Sequence, residues 1–367
     1  MRDGWEIKKL GEVGTVITGS TPPTKDESNY SYKDYCFVKP SDISNETLSL
    51  IYETEAYISE KAYSKSRKLP KGSVLTTCIG IIGKVGILKV DATCNQQINA
   101  IIPKSDINSE FLAYGLISRK RYMQGIANAP VVPIINKKEF SDIDIPVPPL
   151  PEQEKIVAEL DCLSGIIEKK RQQLKELDAL AQSIFYEMFG DPVTNEKGWE
   201  VKKLGEVCSL KAGKSIKANE LCEVQNEGLY PCYGGNGIRG FIAKQSHVGA
   251  FSIIGRQGAL CGNVTFATGT FYATEHAVVV SPMIDFSPMY LYYTLRLMNL
   301  NRYAQGVAQP GISVNIINKV EFIIPPFPLQ QTFASKIEAI EQQKELIKQS
   351  LGEVETLFNA RMQEYFG

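Results

Sequence analysis

Few residues of this chain are of types that do covalent chemistry. There are two histidines, His247 and His276, and neither has a repeated partner. Eight cysteines are scattered at 36, 78, 94, 162, 208, 222, 232 and 261 with no C-x-x-C pair, which argues against a zinc site and fits a reduced, cytoplasmic setting. Ala-Gly-Lys-Ser (212–215) resembles the end of a P-loop, but that motif needs glycine at 208, and 208 is cysteine. No acid, base and nucleophile recur together in a pattern that would organise catalysis. What the sequence does offer is binding chemistry on turns. YGGNGIRG (233–240) presents Asn236 and Arg239, and FSIIGRQGALCGNVTF (251–266) presents Arg256. CIGIIGKVGIL (78–88) holds Lys84 between glycines that permit tight turns, and NQQINAIIP (95–103) opens on amides.

The elements that must carry these turns read as short strands with a few helices, an α+β arrangement with antiparallel strands. A loop rich in Pro, Ser and Lys follows Gly19 and carries Tyr30, Tyr32 and Tyr35; loops of that length and character lie on the surface. FLAYGLISRKRYM (111–123) predicts a short helix ending in Arg119-Lys120-Arg121.

Between and after these blocks run two long helices. In the first, Pro149 to Gly190, apolar residues step by fours and threes through Ile156, Leu160, Leu163 and Ile167, then Leu174, Leu177, Ala181, Ile184 and Met188, broken once by Lys170. That is an a/d track, too narrow to bury itself alone. A shift of 177 residues reproduces it as Phe333, Ile337, Ile340, Ile347, Leu351, Val354 and Phe358, with Lys344 on the track. The two helices therefore predict an intramolecular coiled coil, each helix roughly 55–60 Å long at about 1.5 Å per residue.

The repeat extends to the whole chain. GWEIKKLGEV (4–13) returns as GWEVKKLGEV (198–207), and PPLPEQ (148–153) as PPFPLQ (325–330). The expected order is a block over 1–148, a helix over 149–190, a block over 191–325 and a helix over 326–367. The overall charge is −1, but residues 1–149 hold 19 Lys and Arg against 17 Asp and Glu, and residues 191–327 hold 12 against 10. The blocks carry the basic side and the helices the acidic side. No apolar run approaches a membrane span, and the start of the sequence lacks a secretory signal.

The duplicated starts, with TGSTP (18–22), GSVLTTCIGIIGKVGI (72–87), NQQINAIIP, INKKEFSDIDIPVPPLPEQEKI (135–156) and YGGNGIRGF (233–241), resemble the specificity subunits of type I restriction–modification systems over essentially all 367 residues. The resemblance implies two target recognition domains, each reading one half of a bipartite double-stranded DNA site, and two long helices paired as an antiparallel intramolecular coiled coil that sets the spacing. It implies two modification subunits that supply S-adenosylmethionine and adenine methylation, restriction subunits that cleave DNA with ATP where they join, and no catalysis or cofactor in the specificity subunit itself. The second copy departs at PPFPLQQTFASKI, so its helix start need not bind a partner as the first does.

On this reading the DNA contacts are Lys25, Tyr30, Lys33, Lys84, Gln97 and Arg121 in the first block, and Lys214, Lys217, Asn236, Arg239, Arg256 and Gln305 in the second. Lysine and arginine would meet phosphates, while loop arginine and amides would meet base edges. Each side chain is also compatible with a solvated charge or a turn-forming amide. Two rival readings remain: a scaffold with two globular heads on a coiled coil that ignores DNA, and an enzyme with paired active sites.

Overall fold

Two helices of 40 residues, Leu150–Phe189 and Phe327–Phe366, dominate the computed structural model. It describes residues 4–127, 132–258, 260–306 and 310–367. The chain divides into two compact units, one of residues 1–169 with 350–367 and the other of residues 170–349. The division falls inside the long helices, so each unit contains one block and the two helix segments that pack on it. Among the described residues no helix is long and apolar enough to cross a membrane.

In the first unit Glu6–Lys9 pairs antiparallel with Asp144–Val147. A five-stranded sheet follows in the order Gly14–Thr18, Ile98–Pro103, Val74–Thr77, Val85–Leu88 and Ser49–Ile51, and a three-stranded sheet joins Tyr57–Ile58, Tyr35–Val38 and Ala92–Cys94. The second unit repeats the frame. Glu200–Lys203 pairs with Glu321–Ile324, and the central sheet runs Cys208–Ala212, Ala277–Pro282, Phe251–Gly255, Val264–Ala267. Its second sheet joins Gly237–Ile242, Tyr230–Gly234, Thr270–Ala273 and His247–Val248. The expectation of antiparallel strands holds for the central frame but not throughout. Tyr35–Val38 with Ala92–Cys94, Ser49–Ile51 with Val85–Leu88, and Tyr230–Gly234 with Thr270–Ala273 are parallel, because long connections bring each partner back in the same direction.

Gly19 and Gly213 close the first strand of each central sheet. A Cβ at either would sit 2.0 Å from a backbone oxygen, that of Asn95 in one and Ala273 in the other. The residue is glycine because the strands approach backbone to backbone, so the glycine of the Ala-Gly-Lys-Ser stretch packs a sheet.

In each unit the two helix segments run antiparallel. In the first, Ile156 and Leu160 share a buried cluster with Phe111, Met362 and Phe366. In the second, Ala181, Phe185 and Phe189 share one with Phe333, Ile337 and Ile340, and Phe185 and Phe189 lie 5.6 and 5.3 Å from the Phe333 ring. Ile156, Leu160, Leu163, Phe333, Ile337 and Ile340 are buried as the a/d track requires. Ile167, Leu174, Leu177, Ile184, Ile347, Leu351, Val354 and Phe358 are half-buried, because a two-helix seam covers only one side of a side chain. The track missed Phe185, Phe189, Met362 and Phe366, which lie off the a/d seam and face the globular block instead.

A buried glutamine anchors each helix start. Gln153 Nε2 donates to the carbonyl of Pro148 at 2.8 Å while its Oε1 accepts from the Asn108 amide at 2.9 Å. Gln330 does the same with Pro325 at 2.9 Å and Ser287 at 3.1 Å.

Candidate nucleic-acid interface

In the second unit Tyr230–Gly234 and Gly237–Ile242 form a hairpin joined by the two-residue turn Gly235-Asn236. Gly237 has φ +97°, which glycine adopts without strain. The turn lies on Gly255: a Cβ there would sit 1.8 Å from the Gly235 carbonyl oxygen, so Gly255 excludes a side chain. Asn263 Nδ2 donates to Asn236 Oδ1 at 3.2 Å and holds the tip. The aliphatic stem of Arg239 lies against Gly234.

Beneath this turn three further segments converge. The Arg256 amide donates to the His276 carbonyl at 3.1 Å, the Ile312 amide to the Arg256 carbonyl at 2.9 Å, and the Gly258 amide to the Pro310 carbonyl at 2.9 Å. Gln257 bridges to Gly311, which also exchanges both backbone bonds with Gln305 at 2.9 Å. The result is an open cleft of about 720 Å³ whose polar side chains come from Asn236, Arg239, Gln257 and His276. Beneath the turn Arg256 Nε, Thr274 Oγ1, Glu275 Oε2 and His276 Nδ1 are buried without a hydrogen-bond partner among the described residues, and of these four residues His276 alone lines the cleft. Asn236, Arg239, Gln257 and His276, carried on segments held by backbone bonds, offer donors and acceptors suited to a hydrogen-bonding ligand with planar edges.

Of the six residues expected in this block, Asn236 and Arg239 line the cleft and Gln305 bonds its rim. Arg256 contributes its backbone to the floor and a half-buried guanidinium. Lys214 and Lys217 are exposed on the loop after Gly213 and do not line the cleft. Sequence reasoning passed over Gln257 and gave His276 no binding role. Its position in TEHAVVVSP, opposite Gln97 in NQQINAIIP, was the available signal.

The first block gives a different result. Lys84 Nζ donates to the Pro40 carbonyl at 2.8 Å. The Tyr30 hydroxyl donates to the Pro22 carbonyl at 2.7 Å, and burial raises its pKa. The Gln97 side chain accepts from Asn95 Nδ2 at 2.9 Å. Each of these contacts engages one polar group of the side chain within its own block. Lys33 lies over the Tyr57 ring at 5.4 Å, and Lys25 and Arg121 are exposed. Arg256 and Lys84 hold different places in the two frames. The Thr77 amide donates to the Lys84 carbonyl as the Gly255 amide does to that of Asn263, so Asn263 takes that place and Arg256 that of Cys78.

The duplicated frame, the buried glutamines and the cleft are features of a repeated recognition unit, and the sequence matches the type I restriction modification DNA specificity domain twice, over residues 2–178 and 196–356. The chain belongs to that family. It is 30% identical over 348 residues to the EcoprrI specificity subunit of Escherichia coli, covering 90% of this chain and 86% of that protein. It is 29% identical over 374 residues to the MjaIX specificity subunit of Methanocaldococcus jannaschii, covering 92% and 86%. The crystal structure of a type I restriction–modification S subunit from M. genitalium shares the fold, with a TM-score of 0.65 at 15% identity over 100% of this chain and 98% of that one. Family membership makes the two blocks two DNA specificity domains.

Proposed function

We propose that each specificity domain reads one half of a bipartite, asymmetric site in double-stranded DNA, and that the long helices set the spacing between the halves. The carrying observation is the cleft of Asn236, Arg239, Gln257 and His276, built on the frame the two domains share and lined by side chains they do not. A shared frame with different side chains is what two half-sites of different sequence require. The chain itself is non-catalytic on this reading and binds no cofactor. Two modification subunits dock along the helices and bring S-adenosylmethionine, restriction subunits bring ATP-driven cleavage, and the assembly works in the cytoplasm. Leu180 and Leu357, 177 residues apart on the two helices, are 48% and 46% exposed and offer matching apolar points for such docking. The scaffold and paired-enzyme readings account for neither the cleft nor the family match.

The test is co-expression with a methyltransferase subunit of the same system, followed by genome-wide mapping of methyladenine. A bipartite motif methylated on both strands is expected. A purified complex that methylates no motif would overturn the reading.

A further inference from the structure

The same backbone frame carries opposite chemistry in the two domains. In the first, the Cys78 amide donates to the Gln97 carbonyl at 2.8 Å, Ile135 to Cys78 at 2.9 Å and Gly80 to Pro133 at 3.0 Å. These are the counterparts of the bonds made by Arg256, Ile312 and Gly258. The bridge Ile79–Ile134 stands where Gln257–Gly311 stands in the second domain. Directly paired residues share a face, so a half-buried Ile79 and an exposed Ile134 lie together where the second domain offers glutamine and a cleft. Around that bridge Ile81 is 59% exposed, Val132 44% and Ile134 40%. Single exposed apolar residues need no explanation, but three on two hydrogen-bonded segments at one hairpin tip form a patch. At the same turn the stem of Lys120 packs on Gly83 while its ammonium donates to Asn45 Oδ1 at 2.9 Å.

We infer that this patch reads thymine through its C5-methyl group. The inference rests on the proposed function, since the repeat places the patch where the second domain presents its base-reading cleft. On the major-groove edge of a base pair the apolar feature is the thymine methyl, and apolar side chains are its complement. The two half-sites are then read by different physics, hydrogen bonds in one and methyl contact in the other.

The experiment uses the complex with its modification subunits and duplexes of the mapped motif, with deoxyuridine replacing thymine in one half-site at a time. Arg239→Ala assigns the halves, because it relaxes the one read by the second domain. Deoxyuridine in the other half should lower the methylation rate about fourfold for each methyl lost. It should have little effect in the half read by the cleft, and the double variant Ile81→Ala, Ile134→Ala should lose the sensitivity. Two results overturn the inference alone: equal indifference to deoxyuridine in both halves, or a double variant that keeps its sequence preference but no longer binds the modification subunit. Failure to methylate any motif would overturn the underlying reading as well.

Discussion

Lys344 Nζ lies 2.8 Å from Asp178 Oδ1, joining the two helix segments of the second unit through an ion pair with only 11% of the lysine side chain exposed. Glu341 Oε1 is a second partner at 2.8 Å. The lysine takes a track position that Ile167 fills in the first helix. Burial pushes its pKa down, but the hydrogen bonds to Asp178 and Glu341 outweigh that and hold it above the ordinary 10.5. A raised lysine pKa means that the contribution to stability is complete below 10.5 and lost only as pH rises through the higher folded value. Asp178→Leu should therefore cost about 1–2 kcal/mol, and Lys344→Ile less than about 1 kcal/mol, because an apolar isostere replaces a buried ion at little net cost. Urea unfolding checks both. The gap between Asp178→Leu and the parent should be flat from neutral pH to about pH 10 and shrink above it.

Gln153 and Gln330 each satisfy a backbone amide and a carbonyl at a helix start. Removing the side-chain amide leaves those groups buried and unbonded, at about 1–3 kcal/mol. Gln153→Leu and Gln330→Leu should each lower the urea midpoint by a comparable amount. If only one did so, the two helix starts would differ in strength despite matching geometry.

The sequence carries the frame better than the site. The repeat at offset 177 and the a/d track locate both helices because the seam is local and periodic. Phe185 and Phe189 escaped the track because the globular block buries them, and no period in the helix records that. His276 and Gln257 escaped because the cleft exists only once segments near 236, 257, 276 and 311 are hydrogen-bonded together. Lys84, Tyr30 and Gln97 looked free because nothing in the sequence shows that Pro40, Pro22 and Asn95 lie within their reach.

Thiol chemistry tests the described burial directly. Cys162 and Cys222 are exposed, whereas Cys36, Cys78, Cys94, Cys208, Cys232 and Cys261 are buried. Burial raises Cys78, Cys94 and Cys208 to about 12, which leaves almost no thiolate at neutral pH. Native labelling at pH 8 should modify two thiols quickly and the other six only on unfolding.

Arg239 and Lys217 should separate base reading from phosphate binding. Arg239→Ala should cost about 1–3 kcal/mol on the preferred sequence and relax selectivity at one half-site. Lys217→Ala, altered on an exposed loop outside the cleft, should weaken binding to all sequences alike and reduce the salt slope by about 1. Fluorescence anisotropy on matched and mismatched duplexes at several salt concentrations gives both readouts. Uniform weakening by Arg239→Ala would make it a phosphate contact.

Helix length should set the spacer of the DNA site. The first long helix runs unbroken through Lys170 and the second through Ile347, its repeat equivalent. Inserting one turn into each at those places preserves the a/d seam on either side and adds about 5.4 Å of rise. At about 3.4 Å per base pair, the mapped methylation motif should keep both half-sites and gain one or two base pairs between them. Insertion into a single helix should instead lower stability without defining a new spacer, because the partner segments fall out of register. A doubled insertion that leaves the spacer unchanged would show that the helices join the domains without measuring the distance between the sequences they read.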